Sequence, residues 1–336
     1  GLAQTGTGKT AAFGLPLIQL LDFSSPHQQA LVLAPTRELC VQITKDLVNF
    51  GENLDGFATV AVYGGASIME QIRSIKRGVH VVVATPGRLI DLINRKALDL
   101  GQVEIVVLDE ADELLYDGIT DKMQSLFEKA PDGIQVVLIS ATMSINVFNA
   151  SKKFTHEPIK VLLKNNEVVV DLISQFYLDV EKEDLKFDTL LDLYNLVSTS
   201  QAIIFCNTIR KVEWLEQNLK QNNFPITVIH SNMNQSERDE VVKTFREGKT
   251  RLLLTTDLLS RGIDVPQVNL VINYDLPPNK ETYVHRIGRC GRFDKKGVAI
   301  TMVKMTDPSD VKTFNKMKHF YKMDIKEMPD SIEKYL

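Results

Sequence analysis

Short aliphatic and β-branched runs recur along this chain, each closing in a polar cluster and giving way to a helical pattern. Ala30–Ala34 runs into Pro35-Thr36-Arg37-Glu38-Leu39, Val79–Ala84 into Thr85-Pro86-Gly87-Arg88, Ile105–Leu108 into Asp109-Glu110-Ala111-Asp112, and Gln135–Ile139 into Ser140-Ala141-Thr142. The second half repeats the scheme: Ala202–Phe205 into Cys206-Asn207-Thr208, Arg251–Leu254 into Thr255-Thr256-Asp257, and Leu270–Asn273 into Tyr274-Asp275. Strands of this kind are buried on both faces, as in parallel sheets covered by helices. Alternation of strand with helix predicts an α/β fold. In open α/β sheets, ligands bind beyond the carboxyl ends of the strands, where every one of these polar clusters falls.

At about 150 residues per domain, a chain of 336 residues holds two. The polar stretch Lys164-Asn165-Asn166-Glu167 separates the two series, predicting domains over 1–163 and 172–336 with a linker at 164–171. Asp184–Leu196 and Val212–Leu219 read as amphipathic helices. Three cysteines are too few for a disulfide scaffold and fit reduced thiols in a cytosol or nucleus. No apolar run nears the roughly 20 residues that span a bilayer, and no signal segment opens the chain. The net charge is −4, and neither half is positive. The charge gives no footprint of a constitutive, electrostatically driven nucleic-acid binder, and any nucleic-acid contact must be local.

The chain opens on Gly1-Leu2-Ala3-Gln4-Thr5-Gly6-Thr7-Gly8-Lys9-Thr10. Gly6, Gly8, Lys9 and Thr10 match the end of the phosphate-loop pattern, with Ala3 in place of its first glycine. Such glycines let backbone N–H groups point at phosphate oxygens, and the following helix adds its N-terminal dipole. Lys9 can reach the β- and γ-phosphates and Thr10 can ligate Mg²⁺. A buried strand normally precedes such a loop, so the sequence reads as N-terminally truncated. Asp109 and Glu110, ending the Ile105–Leu108 run, supply the second half of a nucleotide site. Asp109 would hold the ion and Glu110 would orient or activate the attacking water.

Taken together, the Ala3–Thr10 loop, Pro35–Leu39, Thr85–Arg88, Asp109–Asp112, Ser140–Thr142 and His285-Arg286-Ile287-Gly288-Arg289-Cys290-Gly291-Arg292 resemble a DEAD-box RNA helicase, in the family's order and over nearly the whole chain. Ser174–Tyr177, Lys186–Leu190, Arg251–Val265 and Glu327-Met328-Pro329 resemble the initiation factor 4A branch and its close nuclear relative in the exon junction complex. The resemblance implies two tandem RecA-like domains, each a mostly parallel sheet covered by helices, closing around ATP and single-stranded RNA. Gln4, Thr5, Gly6, Thr7, Gly8, Lys9 and Thr10 would bind nucleotide, with Thr10 and Asp109 on Mg²⁺ and Glu110 catalytic. Asp264 would hold the ribose, and Arg289 and Arg292 would act as arginine fingers. Thr36, Arg37, Gly65, Thr85, Arg88, Asn207, Arg238 and Thr256 would track the RNA backbone. Asp112, Ser140, Thr142 and His285 would couple nucleotide to closure. The implied activity is local unwinding of short RNA duplexes in translation initiation by a cytoplasmic (or nuclear) monomer on a HEAT-repeat scaffold. The alternative is an ATP-gated RNA clamp within a nuclear mRNA complex.

Other readings stand beside these. Thr36 and Thr85 also suit helix caps. Arg286, Arg289 and Arg292 taken alone read as a solvated basic turn, and Trp214 as a packed helix residue. The family's adenine-reading segment is absent, so ATP over GTP rests on the resemblance. His230-Ser231-Asn232 stands where the family has His-Gly-Asp, and the Cβ of Ser231 puts one close backbone contact in question.

Overall fold

The computed structural model describes residues 1–2, 8–115, 123–124, 130–142, 145–155, 157–161, 173–196, 201–257, 268–290, 297–320, 324–329 and 331–335. The chain divides into two compact units, Gly1–Leu163 and Lys164–Leu336. The segment 164–171, read as a linker, lies outside the described residues.

In the first unit the elements run α1 (Lys9–Leu20), β1 (Ala30–Leu33), α2 (Arg37–Phe50), β2 (Thr59–Val62), α3 (Ile68–Lys76), β3 (Val81–Ala84), α4 (Pro86–Asn94), β4 (Ile105–Leu108), α5 (Ala111–Leu114), β5 (Gln135–Leu138) and α6 (Ile145–Phe154). The strands pair in parallel in the order β2-β3-β1-β4-β5. Leu2 bridges Ser140 in parallel, and the Gly1 amino group donates to the Leu138 carbonyl at 2.7 Å, so the chain start lies along β5. Successive strand residues point to opposite faces and enter two separate cores. Leu31, Leu33, Val82, Val106 and Leu108 pack with Ile75, Leu89 and Leu92. Ala30, Val32, Val81, Val83 and Val107 pack with Phe13, Leu17, Ile43 and Leu47.

The second unit runs β6 (Ile173–Asp179), α7 (Leu185–Leu196), β7 (Ala202–Phe205), α8 (Ile209–Gln221), β8 (Ile226–Ile229), α9 (Gln235–Arg246), β9 (Leu252–Thr255), β10 (Leu270–Asn273), α10 (Lys280–Ile287), β11 (Gly297–Val303), α11 (Pro308–Phe320) and β12 (Lys326–Glu327). Its strands are parallel in the order β12-β6-β11-β10-β7-β9-β8. Leu190, Leu193, Val212, Leu215 and Leu219 close one face over Ile204, Leu254 and Ile272. Trp214 stands 44% exposed, but its ring meets Phe187 edge-on at 5.7 Å between centroids.

The polar clusters after the strands also start helices. Side chains of Thr36, Thr208 and Asn279 accept the backbone N–H of Leu39, Lys211 and Thr282, satisfying N–H groups that a helix cannot satisfy internally. The strands β2, β6, β8, β11 and β12 lie outside the sequence rhythm. β2 and β8 are sheet edges and half-buried, so their apolar signal is weaker. A long apolar run such as β11 cannot be told from a buried helix by periodicity.

All three cysteines are buried thiols outside any disulfide. Burial pushes the Cys40 thiol up to about 12, and its Sγ lies 3.1 Å from the Val83 carbonyl. Burial likewise raises the Cys206 thiol. A thiol-specific reagent at mildly alkaline pH is therefore expected to leave the native protein unlabelled over minutes. It should label all three cysteines in denaturant. Rapid labelling of any thiol in the native state would contradict this packing.

Candidate nucleotide site and RNA interface

In the first unit the site is assembled at the carboxyl ends of β1, β3, β4 and β5. Gly8 caps α1 in a left-handed conformation, φ 82°, which glycine adopts readily. Lys9 and Thr10 thus fall in the first turn of α1. Gln4, Thr5, Gly6 and Thr7 lie outside the described residues. Beyond β4, the Asp109 N–H donates to the Leu33 carbonyl at 3.0 Å and the Ala111 N–H to the Ile139 carbonyl at 2.9 Å. Between these anchors Glu110 is held at φ 50°, ψ 52°. That region costs a non-glycine residue on the order of 1–3 kcal/mol, and such strain clusters at functional sites.

Asp109 and Glu110 are buried. Burial raises the Asp109 carboxyl above its ordinary range, and the nearby Lys9 charge only partly offsets this. A buried carboxylate held this way is short of positive charge. Among the described residues no cluster of three or more His, Cys, Asp or Glu could hold a metal ion. The oxygen donors of Asp109 and Thr10 suit Mg²⁺, which binds through one or two carboxylates plus substrate phosphates rather than a protein cage.

One turn on, Asp112 ties this segment to the end of β5. Its Oδ1 lies 2.8 Å from Ser140 Oγ, and its Oδ2 accepts from Thr142 Oγ1 at 2.6 Å. Ser140 Oγ is also 2.6 Å from the Thr142 carbonyl. Both oxygens of one carboxylate are thus committed to two hydroxyls about 30 residues away.

A second cluster lies beside β2 and β3. The Arg37 guanidinium rests on the Gly64-Gly65 turn; Gly65 has φ +90°, and a Cβ there would sit 3.0 Å from Arg37 Cζ. Thr36 caps α2 through its hydroxyl, while Thr85, at the start of α4, makes no such cap. Arg88 donates from Nη1 to Gln71 Oε1 at 2.6 Å and from Nη2 to the Ala66 carbonyl at 3.2 Å. Gln71 donates in turn from Nε2 to the Tyr63 carbonyl at 3.2 Å. Gln71 was not among the expected site residues. Its trace in the sequence is its place between Ile68 and Ile75, a polar residue on the buried stripe of α3.

In the second unit Arg286 is fully buried, not a solvated turn. Its Nε and Nη2 donate to Asp257 at 2.6 and 3.1 Å, Nη2 also to Asn207 Oδ1 at 2.7 Å, and Nη1 to the Asp275 carbonyl at 3.0 Å. The guanidinium lies over the Phe205 ring, 5.3 Å from its centroid. Asn207, read as an RNA contact, donates from Nδ2 to the Leu276 carbonyl at 2.9 Å and accepts from Arg286 at Oδ1, which leaves its second N–H for another partner. Arg238 donates to the carbonyls of Met233 and Ser231 at 3.1 and 2.8 Å, holding the His230-Ser231-Asn232 loop. Thr256 is half-buried at the end of β9, and His285 and Arg289 are buried. Asp264 and Arg292 lie outside the described residues.

Two parallel α/β units with a phosphate-loop helix, a strand-end acidic pair and a buried arginine helix define a RecA-like, nucleotide-driven helicase architecture. A model of the DEAD/DEAH box helicase family matches residues 1–150, and one of the helicase conserved C-terminal domain matches 185–294. Eukaryotic initiation factor 4A of Caenorhabditis elegans is 48% identical over 98% of this chain and 81% of its own length. The ATP-dependent RNA helicase FAL1 of Mycosarcoma maydis is 46% identical over 99% and 83%. The structure of Saccharomyces cerevisiae Dbp5 bound to RNA and ADP BeF3 superposes with a TM-score of 0.91 at 35% identity, covering 99% of this chain and 86% of that one. The chain belongs to the DEAD-box family of ATP-dependent RNA helicases.

Two outcomes are expected from this geometry. Because its folded-state pKa is raised, Asp109 favours folding while protonated, below the unfolded carboxylate pKa. That contribution is lost as pH rises through the folded value. Asp109→Asn, free of nucleotide and with chelator present, is therefore expected to melt higher than the parent at neutral pH. The gain should vanish in acid, and equal melting at both pH values would show the burial is compensated. Gly65→Ala should displace Arg37 and destabilise the first unit by roughly 1 kcal/mol or more, read by urea denaturation.

Proposed function

We propose that the chain is an RNA-dependent ATPase that locally unwinds short RNA duplexes, in the manner of initiation factor 4A in translation initiation. The observation that carries this is the Asp109–Asp112 segment. At one end it presents a buried carboxylate beside Lys9 and a strained Glu110; at the other it is bonded to Ser140 and Thr142. A change at the nucleotide can thereby reach the end of β5.

In this reading Lys9 neutralises the β- and γ-phosphates and Glu110 orients the attacking water and receives its proton. Thr10 and Asp109 would hold Mg²⁺, which neutralises charge on the phosphates. Asp264 binds the ribose, and Arg289 and Arg292 stabilise transition-state charge. Asp112, Ser140, Thr142 and His285 transmit the nucleotide state. Thr36, Arg37, Gly65, Thr85, Arg88 and Thr256 contact RNA phosphates and 2′-hydroxyls, which gives weak sequence preference. Asn207 and Arg238 complete this RNA track, and they also hold the Arg286 cluster and the loop at Ser231. A HEAT-repeat scaffold, a monomeric state and a cytoplasmic site of action complete the reading by resemblance.

Glu110→Gln is expected to keep ATP and RNA binding but lower kcat by at least roughly 100-fold, since Gln cannot accept the proton. RNA should also stimulate the parent ATPase several-fold at saturating ATP. The checks are steady-state hydrolysis with and without single-stranded RNA, and decay of the RNA complex in ATP. Glu110→Gln complexes that decay as fast as the parent's would remove Glu110 from hydrolysis. Parent turnover blocked by a bound partner would favour an RNA clamp.

A further inference from the structure

Gln71 lies outside the stretches that carry the family resemblance, although its partner Arg88 closes one of them. Gln71 lies on the core-facing stripe of α3 and is only 7% exposed, where an apolar residue would pack with Ile68 and Ile75 at no polar cost. Its amide is satisfied at both ends, by Arg88 at 2.6 Å and by the Tyr63 carbonyl at 3.2 Å. Arg88 makes its other bond to the Ala66 carbonyl. Tyr63 and Ala66 flank the Gly64-Gly65 turn that carries the Arg37 guanidinium. One buried amide therefore ties the Arg88 side chain to the turn that the Arg37 guanidinium lies against.

The chemistry of the holder matters. Arg88 is gripped by a neutral amide and a neutral carbonyl, and among the described residues no carboxylate pairs with it. A guanidinium positioned by neutral acceptors keeps its full charge and its remaining donors for an anion. A carboxylate in the same place would grip more tightly but cancel that charge.

We propose that Gln71 is a positioning residue of the RNA interface, holding Arg88 in place for a backbone phosphate without neutralising it. The inference rests on the reading of Arg88 as an RNA contact. Gln71→Glu keeps the acceptor for Arg88 but loses the N–H that serves the Tyr63 carbonyl, so it is expected to fold with a somewhat lower melting temperature and to weaken RNA binding roughly tenfold at low salt. It should also reduce the slope of log affinity against log salt by about one, as when a phosphate contact is lost. Gln71→Leu, which suits the apolar stripe and adds no charge, should raise the KM for RNA several-fold. Its kcat at saturating RNA should stay within about twofold, since the interactions lost are to RNA and not to the reacting phosphate.

The experiment measures RNA affinity across a salt series for the parent, Gln71→Glu, Arg88→Ala and the double variant, with KM and kcat for Gln71→Leu and melting temperatures for all. Support requires that Gln71→Glu and Arg88→Ala flatten the salt dependence equally and that the double variant loses nothing further. A full salt slope in Gln71→Glu beside a flattened one in Arg88→Ala overturns the role of Gln71 alone. A full slope in Arg88→Ala overturns the RNA reading of Arg88 and this inference with it. A kcat loss in Gln71→Leu without a change in KM would make Gln71 part of the general fold.

Discussion

A strand covered by helices on both faces has no solvent side on which to place a charge. That constraint governs both units. β1, β3 and β4 are buried along their whole length, as are β7, β9, β10 and β11. Buried polar side chains at these sheets are neutral and hydrogen-bonded: Asn273 Nδ2 on β10 donates to Thr301 Oγ1 on β11 at 3.0 Å, and the Tyr283 hydroxyl of α10 donates to Gln175 Oε1 on β6 at 2.9 Å. Charge is displaced to the carboxyl ends, where chain turns and helix starts offer partners.

At those ends each charge is set differently, and the difference tracks its use. Asp112 has both oxygens occupied by hydroxyls, and Arg286 has its donors matched by Asp257, Asn207 and a carbonyl. These groups are fixed and act as struts. Asp109 is buried without full compensation, Glu110 sits in a strained backbone, and Arg88 is held by neutral groups. Incompletely matched groups of this kind gain most from an incoming phosphate or cation.

The alternation of apolar runs and polar clusters made the parallel α/β class legible, because strands buried on both faces leave a continuous apolar signature. The positions of Asp109, Glu110, Asp112, Ser140 and Thr142 followed from the same rhythm. Edge strands were not legible: β2 and β8 are only half-buried, so their pattern resembles other amphipathic segments. Pairings between distant side chains were invisible. Nothing local says that Arg286 would be buried against Phe205 and Asp257, or that Asn207 would spend its amide on Arg286 and Leu276. Gln71 was hidden because a single polar residue among isoleucines looks like an interruption until its partners across the turn are known.

The Arg286 cluster also constrains the order in which the second unit can assemble. Its partners lie 11, 29 and 79 residues away, at the ends of three different strands. Docking α10 before those strand ends are together would bury an unmatched cation, at a cost of several kcal/mol. Closing connections of that length is slow because loop entropy is spent before any contact forms. The helix that carries His285 and Arg286 therefore docks late, after β7, β9 and β10 have aligned. A nascent chain released before Asp275 has joined the sheet would keep that segment in solvent.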